Sequence, residues 1–310
     1  IFVETLLIML LGATDVMMLS RYSDDTVASV GVVNQLLSLI FILYGISTLG
    51  TSVLCSQYLG AHQKKNVMQT IGVSLLINLL VGLVVSAGLY VFAPQLLGLM
   101  GLSPQLIDCG KVYMQIVGGF SFLQAIAMTL SATLRSHNQA FYPMYVTLLM
   151  NVLNVAGNYL LIFGKFGFPA LGAPGAAVST SVCRLIAMCL LGYLLFRKVV
   201  PDFSFKYLRP FPWDKVKNLM VVGLPSAGEQ VSYNLSQVVI TYFSVLIGTA
   251  ALTARTYAMN IVMFSYVFSI ALGNGAAICI GHLIGAEKDN AAYSVEKYSI
   301  WLSVIITVVI

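Results

Sequence analysis

An all-α protein that crosses a membrane many times is the fold the sequence predicts. It should be built from two parallel six-helix repeats, a twelve-helix design of which about eight and a half helices are present. Three observations predict it. The chain is 59% hydrophobic and only 9% charged, with a mean hydropathy of +0.91, whereas soluble domains are roughly half apolar and a quarter charged. Its apolar stretches reach the roughly 20 residues that a bilayer core requires of a helix. After residue 218 the sequence begins to repeat itself.

The apolar stretches cover 1–20, 28–59, 66–98, 105–134, 140–163, 174–196, 219–248, 250–281 and a ninth from about 291. Counted alternately, the loops after the even spans hold Lys64, Lys65, Arg135, Arg197, Lys198, Lys206, Arg209, Lys215, Lys217 and Lys288. The other loops hold only Arg21, Lys111, Lys165 and Arg255. By the positive-inside rule the even loops are cytoplasmic, so the N-terminus is expected in the cytoplasm. The chain opens on Ile1 inside an apolar run and closes on "WLSVIITVVI" without flanking charge; it is expected to be a fragment of a longer protein.

The most polar connection, "RKVVPDFSFKYLRPFPWDKVKN" (197–218), separates six spans from the rest. We therefore expect an N-terminal lobe over 1–198, a cytoplasmic linker over 199–218 and the opening of a second lobe over 219–310. Beyond the linker, "GEQVSYNLS" (228–236) faces "VETLLIMLL" (3–11), which sets Glu229 against Glu4. "GHLIGAEKDN" (281–290) likewise faces "SQYLGAHQKK" (56–65), pairing Gly285 with Gly60, Ala286 with Ala61 and Gly275 with Gly50, all at an offset of 225. Asn34 and Asn260 match one residue out of step. An even number of spans per repeat makes the repeats parallel, the arrangement of many two-lobed transporters with a path between the halves.

Ionisable groups near the bilayer centre cost roughly 2.5–3.5 kcal/mol on insertion scales and mark function by default. Four stand out: Glu4, Asp15, Arg184 and Glu229. At 1.5 Å of rise per residue, Asp15 lies about five residues from the outer end of the first span. Asn158, in "LNVAGNYLLIFG", lies at a similar depth in the fifth span, with Asn154 one turn deeper, and Thr180 is about as far into the sixth. A carboxylate, two carboxamides and a hydroxyl offer hard oxygen donors to a small alkali cation, or stabilise a titrating carboxyl. The competing reading is a salt bridge between Asp15 and Arg184, one turn deeper on the sixth span. Asn34, Gln35 and Gln124, with the abundant Tyr, Phe and Met, are candidates to line a substrate cavity, as is Arg184; Glu4 and Glu229 are candidates for a gate at the inner side. Pro225 is read as a first-turn residue of the seventh span.

Nothing points to catalysis. Cys55, Cys109, Cys183, Cys189 and Cys279 form no CxxC pair, and His62, His137 and His282 fall in or beside cytoplasmic loops, away from Asp15. The net charge of +5 sits in loops and does not argue for nucleic acid.

A series of stretches resembles the multidrug and toxic compound extrusion (MATE) transporters: "LLGATDVMMLSRYSDDTVASVGVVNQ", "SATLRSHNQAFYPM", "LNVAGNYLLIFG", "LGAPGAAVSTSV" and "GLPSAGEQVSYNLSQVVITYFSVLIGTAALTA". They follow one another in the family's order over nearly the whole chain. The resemblance implies two six-helix lobes in a bacterial inner membrane that export organic cations in exchange for Na+ or H+ by alternating access. No other cofactor is implied, and the protein is expected to be a monomer. It implies that Asp15 is the coupling carboxylate and that Asn154, Asn158 and Thr180 complete an ion or proton site. The family's fifth-span pattern carries Asp or Asn at the second position; Asn158 is the amide form. A flippase for lipid-linked or polysaccharide precursors with a related two-lobed fold is the alternative, and it would call for a wide basic cavity.

Overall fold

In the computed structural model, residues 1–167, 169–247 and 249–309 are described, with the side chains of 238, 242, 245–258, 260–261, 263–265 and 308–309 outside that description. The Arg255 and Asn260 side chains are therefore left aside. The described chain is helical in the order α1 (Phe2–Ser20), α2 (Asp24–Gly60), α3 (Lys64–Val91), α4 (Ala93–Leu99), α5 (Pro104–Gly119), α6 (Ser121–Ser136), α7 (Phe141–Phe163), α8 (Ala173–Leu194), α9 (Trp213–Ile247), α10 (Thr249–Gly285) and α11 (Asp289–Val309). Among the described residues six helices are long and apolar enough to cross a bilayer, and the α5–α6 pair, bent by 42°, passes the same test when taken together as one span.

The predicted third and fourth spans are each broken in two. Pro94 has no N–H to donate and is tolerated only in a helix's first turn, so α3 ends and α4 begins around Phe92. The α5–α6 break follows the Gly118–Gly119 pair, the kind of step at which helices kink. Pro225 is not in a first turn. It lies inside α9, which starts at Trp213, earlier than the apolar run implies.

The sequence repeat has a structural counterpart. Helices α2 and α10 are both 37 residues long, and their first and last residues differ by the same 225 positions as the matching motifs. His62 and Glu287, equivalent at that offset, both have positive φ (56° and 58°) just beyond their helices. The two helices cross where glycine is required: a Cβ on Gly60 would overlap the His282 carbonyl, and one on Gly285 would overlap the Gln57 carbonyl. Gln57 and His282 are themselves equivalent, so the contact is reciprocal about a local twofold. Close backbone approach at small residues is the usual device where lipid removes any hydrophobic drive for helix association.

At the same end of the bundle, Glu4 on α1 accepts a 2.9 Å ion-paired hydrogen bond from Arg135 on α6. The ring Nε2 of His282 meets the Ser136 carbonyl at 2.7 Å, which ties α10 to the C-terminus of α6. The segment between α8 and α9 runs through a π-helical turn (Leu195–Val199) and a 3₁₀ turn (Phe205–Leu208). It is anchored on α3, where Gln69 donates to the Tyr207 carbonyl and Leu208 packs over Gly72.

Candidate functional site: a hydrogen-bonded polar chain across α1, α7 and α8

Helices α7 and α8 are joined by a short connection and pack tightly along their length. Gly157 makes the closest approach possible, because a Cβ there would lie 2.5 Å from Ser179 Oγ. The hydroxyl of Ser179 donates to the backbone carbonyl of Asn154 at 3.3 Å. With the backbones this close, the short amide of Asn154 reaches across, and its Nδ2 donates to Thr180 Oγ1 at 3.3 Å.

Asn158, one turn along α7, continues the chain. Its Nδ2 donates to Asn154 Oδ1 at 3.0 Å and to Asp15 Oδ1 on α1 at 2.6 Å. Two acceptors on one side fix the amide's orientation. Its own Oδ1 then points away, buried and without a donor. Asn154 and Asn158 are buried (1% and 0% exposed) and Asp15 is half-buried. The three residues expected at one level, Asp15, Asn158 and Thr180, and Asn154, expected one turn deeper, meet in a single chain, Thr180–Asn154–Asn158–Asp15.

The expected competitor is absent: among the described residues no ion pair within 4.0 Å joins Asp15 to Arg184. Arg184 instead lies over the Phe41 ring, 5.6 Å from its centroid. It is nonetheless near enough to Asp15 to feel the charge of the carboxylate. Asp15 is therefore the acid of the chain but not the whole of the local charge balance.

The remaining candidates lie elsewhere. Asn34 and Gln35 are exposed and Gln124 is half-buried, and none of the three joins the Asp15 chain. Glu4 and Glu229, equivalent in sequence, are not equivalent in space: Glu4 is buried against Arg135, whereas Glu229 is exposed. Sequence reasoning passed over Asn151, on the same helix as the two amides, whose Nδ2 donates to the Leu7 carbonyl of α1 at 2.9 Å. Its spacing three residues before Asn154 was the available signal. Asn78 was also passed over. It donates to Thr129 at 2.6 Å and to Thr48 at 3.3 Å, stitching α3 to α6 and α2.

Among the described residues no three His, Cys, Asp or Glu side chains gather, so a cation held at this chain would be held by amide and hydroxyl oxygens around one carboxylate. The donor set fits such an ion: Asn158 Oδ1 is a buried acceptor in need of a positive partner, and burying an unsatisfied polar atom costs on the order of 1–3 kcal/mol.

Apolar helices enclosing a polar chain define a multi-pass membrane protein with an intramembrane site. The MatE family model matches residues 1–160 and 225–310, and the chain belongs to that family. It is 44% identical to YisQ of Bacillus subtilis (strain 168), described as an uncharacterized transporter, over 94% of this chain and 64% of that protein. It is 26% identical to NorM of Thermotoga maritima, described as a probable multidrug resistance protein, over 99% of this chain and 66% of that one. The chain thus spans a little under two-thirds of the length of these relatives. The crystal structure of a MATE protein in the bent conformation superimposes with a TM-score of 0.88 at 21% identity, covering 98% of this chain and 68% of the other. A MOP superfamily transporter from Pyrococcus furiosus, reported for a binding pocket of reversed polarity, superimposes at 0.83 with 20% identity, covering 98% and 67%.

Proposed function

We propose that the protein is part of a secondary active antiporter that exports organic cations or drugs in exchange for Na+ or H+. Family membership and the multidrug-resistance relatives support export of small organic molecules. The observation that carries the coupling role is the Thr180–Asn154–Asn158–Asp15 chain ending in the orphaned Asn158 oxygen. In this reading a sodium ion, or a proton on Asp15, neutralises the carboxylate, and the Asn158 oxygen either ligates the ion or accepts from a bound water. Occupancy changes the relative energies of two conformations of the bundle, and that difference drives release of cargo.

The wider arrangement follows the same reading. Residues 1–198 act as one lobe, 199–218 as the connection and 219–310 as the start of the other, in a monomer of the bacterial inner membrane with its N-terminus in the cytoplasm. The reciprocal α2–α10 contact, together with Glu4–Arg135 and His282–Ser136, then closes the cytoplasmic end. The test is Asp15→Asn in cells expressing the protein, with efflux of a fluorescent cation followed under imposed sodium or proton gradients. Gradient-driven efflux is expected to be lost, and the gradient that supports wild-type efflux identifies the coupling ion; unchanged efflux in the variant would sink the proposal.

A further inference from the structure

Two buried donors on α8 have no partner. Arg184 NH1 and Ser181 Oγ are both inaccessible and both unbonded. They stand three residues apart, the spacing that places side chains side by side on a helix. Ser181 is unusual for a hydroxyl in this bundle: those of Thr48, Thr51, Thr129 and Thr133 all donate to the carbonyl four residues back. Ser181 makes no such bond.

The surroundings of Arg184 complete the case. A guanidinium has five N–H donors and no acceptor, and no carboxylate lies within 4.0 Å of it among the described residues. Asp15, whose charge reaches Arg184, has Oδ1 committed to Asn158. The Phe41 ring lies 5.6 Å from Arg184 Cζ, and a π face offers a guanidinium attraction without taking the place of an in-plane acceptor. The Tyr44 hydroxyl is shared with Ser121 Oγ at 2.8 Å. A cation held inside a membrane protein without a counter-ion is expensive. An N–H edge beside a hydroxyl is the geometry that a carboxylate or halide satisfies.

We propose that Arg184 and Ser181 form an anion-binding subsite that takes a monovalent carboxylate or halide in the same interior as Asp15. A carboxylate there would belong to the cargo and make the preferred cargo zwitterionic; a halide would be a free co-ligand. The subsite stands on its own geometry and not on coupling at Asp15. Loss of gradient dependence would leave it standing, and absence of anion binding would leave the cation reading standing.

Equilibrium binding of radiolabelled benzoate and radiolabelled chloride to the purified protein in detergent tests it. Saturable binding of at least one anion is expected. Arg184→Gln should abolish it, Arg184→Lys should weaken it roughly tenfold because a point charge replaces the planar fork, and Ser181→Ala should weaken it severalfold. Asp15→Asn removes a nearby negative charge and should tighten binding by about threefold or more. Binding of benzoate alone assigns the subsite to cargo, and chloride that competes with benzoate assigns it to a free halide; either result supports the subsite. No saturable binding by the wild-type protein, a result that needs no variant to fold, overturns the proposal, as does undiminished binding by a folded Arg184→Gln. An Arg184 that serves only as a reserve partner for Asp15 predicts no anion binding and no tightening in Asp15→Asn.

Discussion

Asn158 illustrates how one amide can organise a site. Its NH2 group serves Asp15 and Asn154 together, so neither acceptor is replaced when the amide is removed. Asn158→Ala is expected to lower efflux at least tenfold and to cost about 1–3 kcal/mol of stability, the usual effect of stranding buried partners; thermal unfolding and fluorescent-cation efflux measure the two. His137, just beyond α6, is a second residue-scale case. Burial pushes its pKa below the ordinary 6.5, the bond to the Thr133 carbonyl opposes that shift, and the nearby His282 adds to it. The folded state therefore binds the proton less well than the unfolded chain. Stability from the neutral ring is present above pH 6.5 and falls as pH drops below that value. His282 is the charged neighbour that acts on the ring. Unfolding temperatures at pH 7.5 and 5.5 should differ more in wild type than in His137→Gln. The amide identities at 154 and 158 are plain in the sequence; the orphaned oxygen of Asn158 is not, because it depends on which neighbours take the NH2 group.

At the scale of the helix pair, the site depends on how closely α7 approaches α8. A methyl on Gly157 would stand 2.5 Å from Ser179 Oγ, so Gly157→Ala should displace Ser179, break its bond to the Asn154 carbonyl and cost about 1–3 kcal/mol through overpacking. The expected signature is a lower unfolding temperature together with reduced efflux. A control such as Gly88→Ala has open space around it and should be neutral or slightly stabilising, since alanine favours helix over glycine by up to about 1 kcal/mol. Helix existence and order could be read from hydropathy, but the breaks at Phe92 and Phe120 and the interior position of Pro225 could not. An apolar run looks the same whether its backbone is straight or bent.

Over the whole molecule, the reciprocal Gly60–His282 and Gly285–Gln57 contacts join the two repeats. Gly60→Leu and Gly285→Leu should each destabilise the protein by more than Gly157→Ala does, because the obstacle is a backbone carbonyl and not a side chain that can rotate. Each should also reduce efflux, and the same thermal and transport measurements decide. The repeat that carries this contact was visible as paired motifs at a constant offset. Its meaning, two equivalent helices crossing through their own equivalent residues, required the fold.

By itself, the sequence determined that the protein is an all-α membrane protein and that its motifs recur at an offset of 225, and it set Asp15, Asn158 and Thr180 at similar distances from their helix ends with Asn154 one turn deeper. Each of these follows from local properties: hydropathy, identity at a fixed spacing, and a constant rise per residue. Only the tertiary structure decided that Glu4 is paired with Arg135 while Glu229 is exposed. It alone decided that Arg184 rests on Phe41 and not against Asp15, and that Ser181 is left without a partner. The choice of partner depends on rotation about the helix axis and on contacts between residues more than a hundred positions apart, and a periodic apolar pattern encodes neither.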